Sequence, residues 1–494
     1  MKNILLVFLV SFLRAGFVSA QTQFDPLGYS ISTPRPIDPA AGTTNPSALA
    51  TQRQNPFLGS APSRKASGEI NQLSLSEAIT LGLRFNLGVT ESLHASSDVR
   101  AERLRSLAAL LPEISVEVKG VVANNSLKEF GLKLPRVPGL PLPGLPATTG
   151  AFAFQDARVS VNQSIYNSTI RNSYKAEKHA AEASALSLKD AQDVVVYAIG
   201  AAYFHVVSAE ARVETAKAQL ASAEELDRLT GDRVQSEVSP EIDFLRAHVE
   251  KQSFEQQVTN ALNDLEKARL TLARITGLSI DQKFTTSDAS YRPVTGLTEQ
   301  SALAYAREVR TDLLSAAASV REAEYRVRAA KGERVPALSF HADYGVAGVN
   351  IGALNSVYTV AAGISLPLYS GGRISADIDQ AQSNLARRQA EYDDLEGRLA
   401  YDVRVAWLDL KASDSTVQVA DSNRALANRA LTQSEDRYRN GVTNYLEVLR
   451  AQETVTNANE NYIRSLYAFN VAKVALSRAM GAAEKHIQEF FGEK

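Results

Sequence analysis

The chain has no cysteine. That removes disulfides, thiol nucleophiles, cysteine metal sites and the acylated N-terminal cysteine of a lipoprotein. It also has no surplus of either charge. Its 53 basic and 55 acidic residues leave a formal charge of −2 over 494 residues, so the basic excess of a nucleic-acid binder is missing and no nucleic-acid partner is expected. Past the first twenty residues no apolar run reaches the roughly 20 residues of a membrane-spanning helix. The best stretch, 194–207, is shorter and carries Gly200 and His205, which fits a buried helix. A chain of this kind can enter a membrane only as a closed barrel.

Ligand chemistry is equally sparse. The six histidines (94, 179, 205, 248, 341 and 486) make no His-x-x-x-His or His-Glu-x-x-His pair, so neither a metal nor a cofactor is expected. There is no Gly-x-x-x-x-Gly-Lys phosphate loop and no Gly-x-Ser-x-Gly nucleophile turn. Gly371-Gly372 sits where a strand hands over to a helix, and it reads as a turn. No catalytic residue is expected and no energy source is encoded, so any active transport would have to be driven by a partner.

What is present begins with an export signal over residues 1–20. Lys2 gives the positive start, Ile4 to Leu13 the apolar stretch, and Val18-Ser19-Ala20 a small-residue cleavage site before Gln21. Residues 21–72, rich in Pro, Ser, Thr and Gln, read as a flexible tail. Order is expected from Ser74, where Ser74 and Glu77 form a capping-box pattern.

The main signal is an internal duplication. At an offset of 224, Leu73 falls on Leu297, Ala78 on Ala302, Pro112 on Pro336 and Ser115 on Ser339. Further on the offset is 203 to 204: Tyr166 meets Tyr369, Asp232-Arg233 meets Asp436-Arg437, and Gly277 meets Gly481. The first copy carries an extra Pro- and Gly-rich loop around 132–150. The copies span 73–285 and 297–482, with 483–494 left as a C-terminal tail.

Each copy reads helix to a proline, strand pair, very long helix, short break, returning helix. The strand pairs lie within 113–166 and 337–369 and alternate strictly. Ile114, Val116 and Val118 oppose Glu113, Ser115 and Glu117; Ala157, Val159 and Val161 oppose Arg158, Ser160 and Asn162. Leu338, Phe340 and Ala342 oppose Ser339, His341 and Asp343, and Tyr358, Val360, Ala362 and Ile364 alternate with Thr359 and Gly363. Such alternation places one face in apolar surroundings and one in water, at the length of a tilted membrane strand. Four strands cannot close a barrel, since bacterial ones start at about eight. Two chains would supply eight strands and three would supply twelve. The helical runs 167–235 and 374–440 hold no proline, and each is expected to span roughly 100 Å. Val403, Ala406, Leu410, Ser413, Val417 and Ala420 mark a 3-4 spaced seam. The breaks are Ser236 to Pro240 and Asn440 to Thr443.

The order of elements, the duplication and both breaks resemble the TolC outer-membrane efflux family. The nearest match is Arg437-Tyr438-Arg439-Asn440-Gly441-Val442-Thr443 followed by Tyr445 to Ala451, which is similar to the family's Arg-Tyr-x-x-Gly tip and its Leu-x-x-Leu continuation. The resemblance implies a mainly α protein with membrane β: a long antiparallel α-helical barrel, plus four strands per chain contributing to a shared trimeric twelve-stranded outer-membrane β-barrel. It implies a homotrimer among outer-membrane lipid, extending into the periplasm. Its partners would be a periplasmic adaptor and an inner-membrane pump, in tripartite efflux or type I secretion. The adaptor-docking tips would be Val238, Ser239, Ile242, Gly441, Val442, Thr443 and Leu446. The periplasmic entrance would hold Asp243 and Glu447, each with an arginine three residues on, Arg246 and Arg450, as a possible local partner. Glu237 stands where the family has a tip glycine, so a differently shaped first turn is expected. The competing expectation is a periplasmic coiled-coil adaptor or structural protein without a pore, which would lack duplicated strand pairs.

Overall fold

A computed structural model of the chain describes residues 55–61, 71–126, 148–287 and 291–492. The signal peptide, most of the tail and all but the last residues of the Pro/Gly-rich loop expected from the sequence lie outside the described residues. The first copy runs β1 (Asn71–Leu73), α1 (Leu75–Phe85), α2 (Leu87–Ala108), β2 (Glu113–Ala123), β3 (Phe152–Tyr166), α3 (Ser168–Gln235) and α4 (Glu241–Thr276). After β4 (Phe284–Thr286), the second copy runs α5 (Glu299–Val309), α6 (Thr311–Gly332), β5 (Ala337–Gly348), β6 (Asn355–Ser365), α7 (Arg373–Arg439) and α8 (Tyr445–Met480), and α9 (Ala483–Phe491) closes the chain.

The helix starts are fixed locally. Ser74 and Glu77 exchange hydrogen bonds (Glu77 N to Ser74 Oγ 3.2 Å, Ser74 N to Glu77 Oε2 3.1 Å), and Thr298 and Ser301 repeat the box 224 residues later at 3.2 and 3.0 Å. Each copy's opening helix is not continuous, contrary to expectation. Asn86 and Arg310, repeat equivalents, both leave the helical region (ψ 135° and 117°) and divide it into α1 and α2, and α5 and α6. No glycine or proline marks these breaks. Asn86 is fully buried, accepts from Gly88 N at 2.9 Å and donates to Phe57 O at 2.8 Å. Arg310 is buried between Asp312 and Asp402 at 3.0 and 2.9 Å. Long-range polar partners, invisible in the local sequence, make both breaks.

Two further expectations are corrected. Residues 55–61 are not free tail: Ser60 Oγ donates to Arg274 O at 2.5 Å, and Phe57 lies where a Cβ on Gly88 would fall. Residues 71–73 also pair in parallel with 284–286. Nor is 483–491 a tail. Asp193 accepts from Ala483 N at 2.9 Å at the start of α9, and Lys473 Nζ donates to Phe490 O at 2.8 Å at its end. Opposite charges therefore sit at the helix ends that favour them.

The apolar run 194–207 is core. Val195, Val196, Ile199, Tyr203, Phe204 and Val206 are buried in a cluster with α1, α4 and α9. Of the seam residues of α7, Val403, Ala406, Leu410 and Val417 bury against α5 and α8 in a second cluster, while Ser413 is half-buried. At 1.5 Å per residue the 68 residues of α3 and 67 of α7 each extend roughly 100 Å. Each packs against the helix that returns beside it, α4 or α8.

Candidate functional site: an amphipathic sheet and paired helical tips

At one end of the long helices the four strands form one antiparallel sheet in the order β2-β3-β5-β6. Register carries the alternation across it. Val116 lies beside Val159, Val159 beside Tyr344, and Tyr344 beside Tyr358, all on one face. The opposite face is polar. Arg158 donates to Asp343 at 2.8 Å and Asp156 at 2.7 Å, His341 Nδ1 is 2.8 Å from Asn162 Oδ1, and Lys119 pairs with Glu117 at 2.6 Å. Among the described residues nothing covers the apolar face: Val116, Val118, Tyr358 and Ile364 are all more than two-thirds exposed. Among the described residues neither outer edge of the sheet is paired, β2 at one side and β6 at the other. A bare apolar face and two open edges are a liability in water and the normal state of a barrel segment awaiting neighbours in lipid.

At the other end the two hairpin breaks lie side by side. Tyr438, Tyr445 and Val448 pack with Leu226 and Ala247 as a small separate core, with the Tyr438 and Tyr445 rings edge to face at 6.0 Å. Burial pushes both phenols above their ordinary pKa. Arg233 joins the hairpins: its guanidinium stands 4.8 Å over the Tyr438 ring and donates to Tyr438 O at 2.9 Å.

The two turns have the same shape. Val238 N returns to Arg233 O at 2.9 Å and Val442 N to Arg437 O at 2.9 Å. Gly441 has φ 70° and Glu237 has φ 56°. The expected difference in the first turn is therefore absent, because Glu237 is forced into the left-handed region that a glycine would enter freely.

Of the expected docking residues, Val238, Ile242, Gly441, Val442 and Leu446 are exposed, while Ser239 and Thr443 are half-buried. Sequence reasoning missed Leu245 and Val249, which extend the apolar strip of the first tip and are 50% and 66% exposed. Their spacing from Ile242, three and seven residues, was the available signal. At the entrance Asp243 pairs with Arg246 at 3.7 Å as expected. Glu447 does not pair with Arg450. It is held by the Thr443 hydroxyl and by Arg437 at 3.7 Å, because Arg437 reaches it across the turn while Arg450 is exposed, with no ion pair among the described residues.

The profile described as "Outer membrane efflux protein" matches residues 93–278 and 302–482, one stretch per copy. The chain belongs to the outer membrane efflux protein family. Its relatives include the outer membrane efflux protein BepC of Brucella suis, 24% identical over 68% of this chain and 72% of that protein. Another is TolC of Escherichia coli, 23% identical over 66% and 69%. Among solved structures, the Campylobacter jejuni CmeC outer membrane channel aligns with a TM-score of 0.70 at 18% identity, covering 88% of this chain and 94% of that one. The open state of the Neisseria gonorrhoeae MtrE channel gives 0.69 at 19% identity, over 86% and 95%. This efflux protein is thus an outer-membrane protein with the fold of those channels, and the amphipathic sheet is the part of it suited to lipid.

Proposed function

We propose that three copies close one twelve-stranded β-barrel in the outer membrane and one α-helical barrel across the periplasm. The assembly is a passive channel through which a pump, joined by a periplasmic adaptor, expels substrate in tripartite efflux or type I secretion. The observation that carries this reading is the four-stranded sheet with a bare apolar face, a charged face and two open edges. Eight strands leave an interior that side chains fill. The charged face here presents Glu117, Lys119, Arg158 and Asp343 inward, so two copies would plug their own barrel, whereas twelve strands leave an aqueous passage. A second support is α7. Tyr401, Leu408, Val419 and Leu426 fall within about 20° of one another on the helix, opposite the buried seam, and each is about 60% exposed or more. That stripe suits a neighbouring copy's helices.

The tips face the adaptor, offering short apolar strips on rigid hairpins. The entrance carboxylates Asp243 and Glu447 each have a local arginine, so the ring of six that three chains form is largely neutralised and gives the channel little ion preference. The test is native mass measurement in mild detergent with planar-bilayer recording of the same sample. A trimer with stable conductance is expected, with a reversal potential nearly unchanged by Asp243→Asn plus Glu447→Gln. A soluble monomer without conductance would overturn the channel and favour the pore-free coiled-coil reading.

A further inference from the structure

The duplication relates surfaces as well as elements. Within the chain the long helix of the first copy, α3, packs on the second copy: on α6 toward the sheet and on α8 toward the tips. Three side-chain pairs set the register of the α3–α8 seam. Arg212 Nη2 donates to Glu460 Oε1 at 3.0 Å, Gln219 Nε2 donates to Thr456 Oγ1 at 3.1 Å, and Gln452 Nε2 lies 3.5 Å from Ser222 Oγ. Numbers rise along α3 as they fall along α8, so the two helices run antiparallel.

The equivalent of α3 is α7, and that of α8 is α4, each at an offset of 204 residues. Arg212, Gln219 and Ser222 fall on Thr416, Asn423 and Leu426 of α7, while Glu460, Thr456 and Gln452 fall on Gln256, Gln252 and His248 of α4. The α3 residues are half-buried in the seam, and their α7 equivalents are all exposed. On α8, Gln452 is buried and Thr456 and Glu460 are half-buried, whereas on α4 His248 is half-buried and Gln252 and Gln256 are exposed. The apolar stripe of α7 belongs to the same pattern. Val419 and Leu426 fall on Thr215 and Ser222, which face Gln452 and Thr456 of α8, and Leu408 falls on Phe204, whose ring is 4.9 Å from that of Phe491 in α9. Each side of the seam between copies thus occurs twice in the chain, once engaged and once bare.

We propose that the bare sides complete each other between chains: α7 of one chain packs on α4 of the next in the register of the α3–α8 seam. Thr416 then opposes Gln256, Asn423 opposes Gln252, and Leu426 opposes His248. The inference rests on the trimer reading and specifies which helices meet and where. None of the three pairs brings like charges together, as a buried contact requires. Two different flanks make a heterologous contact, which closes into a ring instead of pairing two chains about a two-fold axis. Each junction, within a chain or between chains, then repeats one rotation. Toward the sheet the same rule sets α7 against α2 of the next chain, since α2 is the equivalent of α6.

The natural absence of cysteine makes thiol cross-linking the direct test. Two double variants carry matched positions: Thr416→Cys with Gln256→Cys, and Leu426→Cys with His248→Cys. Two carry the swapped combinations, Thr416→Cys with His248→Cys and Leu426→Cys with Gln256→Cys, which the proposed register holds about 13 Å apart along the helices. Each purified full-length protein in mild detergent is treated with a short bifunctional thiol reagent and run on a denaturing gel, and native mass is measured on the same preparation. The matched variants should give covalent dimer and trimer bands, and the swapped variants should stay single chains. Links of equal strength in the swapped variants, or none between chains in a preparation whose native mass is that of a trimer, would overturn this pairing and leave the trimer standing. A monomer by native mass would defeat the trimer, and the pairing with it.

Discussion

At the residue scale the two tips form a natural comparison, one fold with two residues at the same position. Glu237 occupies the left-handed conformation that Gly441 occupies in the second copy. A non-glycine residue there costs roughly 1–2 kcal/mol, partly offset by the greater unfolded-state freedom of glycine. Glu237→Gly should therefore slow hydrogen exchange of the amides at 236–239 by an amount equivalent to about 0.5–1 kcal/mol, and Gly441→Glu should speed exchange at 440–443. Equal exchange in wild type and both variants would remove the strain argument. Lys473 supplies the pH-dependent case. Its ammonium is fully buried, and burial pulls its pKa down to about 8, with Arg292 adding repulsion. A base with a depressed native pKa binds protons less well folded than unfolded, so stability rises with pH between about 8 and the ordinary lysine value; the gain is gone once pH has fallen to about 8, below which both states are protonated and this group adds no further pH dependence. The gain is limited to about 3 kcal/mol at 1.36 kcal/mol per pH unit. Protection of the α9 amides, corrected for intrinsic exchange, should increase from pH 8 to 10, and Lys473→Met should flatten that profile. Neither residue could be read from the sequence. The left-handed Glu237 and the burial of Lys473 both follow from what tertiary packing imposes.

At the scale of elements, the strands and long helices were legible because their periodicities are strict: period two across 114–118 and 358–364, and the 3-4 seam from Val403 to Ala420. The breaks at Asn86 and Arg310 and the docked helix α9 were not, because they depend on buried polar contacts from distant segments, to Phe57, Asp402, Asp193 and Lys473. The tips were half legible. Their turns announce themselves through Pro240 and Gly441, whereas the apolar strip running up α4 shows only once the helix face is known. That strip makes the two tips unequal in exposed apolar surface. Val238, Ile242, Leu245 and Val249 give the first tip a larger exposed apolar surface than Val442 and Leu446 give the second. Paired Asp substitutions at Ile242 and Val249 should therefore reduce export more than the pair at Val442 and Leu446, each by tenfold or more if a buried apolar contact of about 1.5–3 kcal/mol per side chain is lost. Both should leave the protein in outer membranes at wild-type amounts. Export assays in cells carrying the cognate pump decide it, and unchanged export in both variants would show that the tips dock nothing.

At the scale of the molecule, the described residues form a fragment of a surface: apolar where none of them supplies an apolar partner, and open at both edges of the sheet. Two separate interfaces must close together for an assembly, one between strand edges in lipid and one between helices in water. They differ in what they tolerate. In the proposed trimer an added charge on the α7 stripe would enter a packed contact from which water is excluded, while the strand edges would be joined by backbone hydrogen bonds that side chains influence little. Leu408→Lys and Val419→Lys together should therefore destabilise the helical barrel while leaving the β-barrel able to form. Three copies would bring six such ammonium groups into one ring of contacts, and each buried unpaired charge costs several kcal/mol. The variant should still fractionate with outer membranes, yet run as a heat-labile oligomer and expose its α7 amides to exchange. Substituting Ala412 on the same face by Ser, a residue small and neutral enough for a close helix contact, should change neither. If the double lysine variant stays as heat-resistant as wild type, the stripe faces water in the assembly, and the helices associate through another surface.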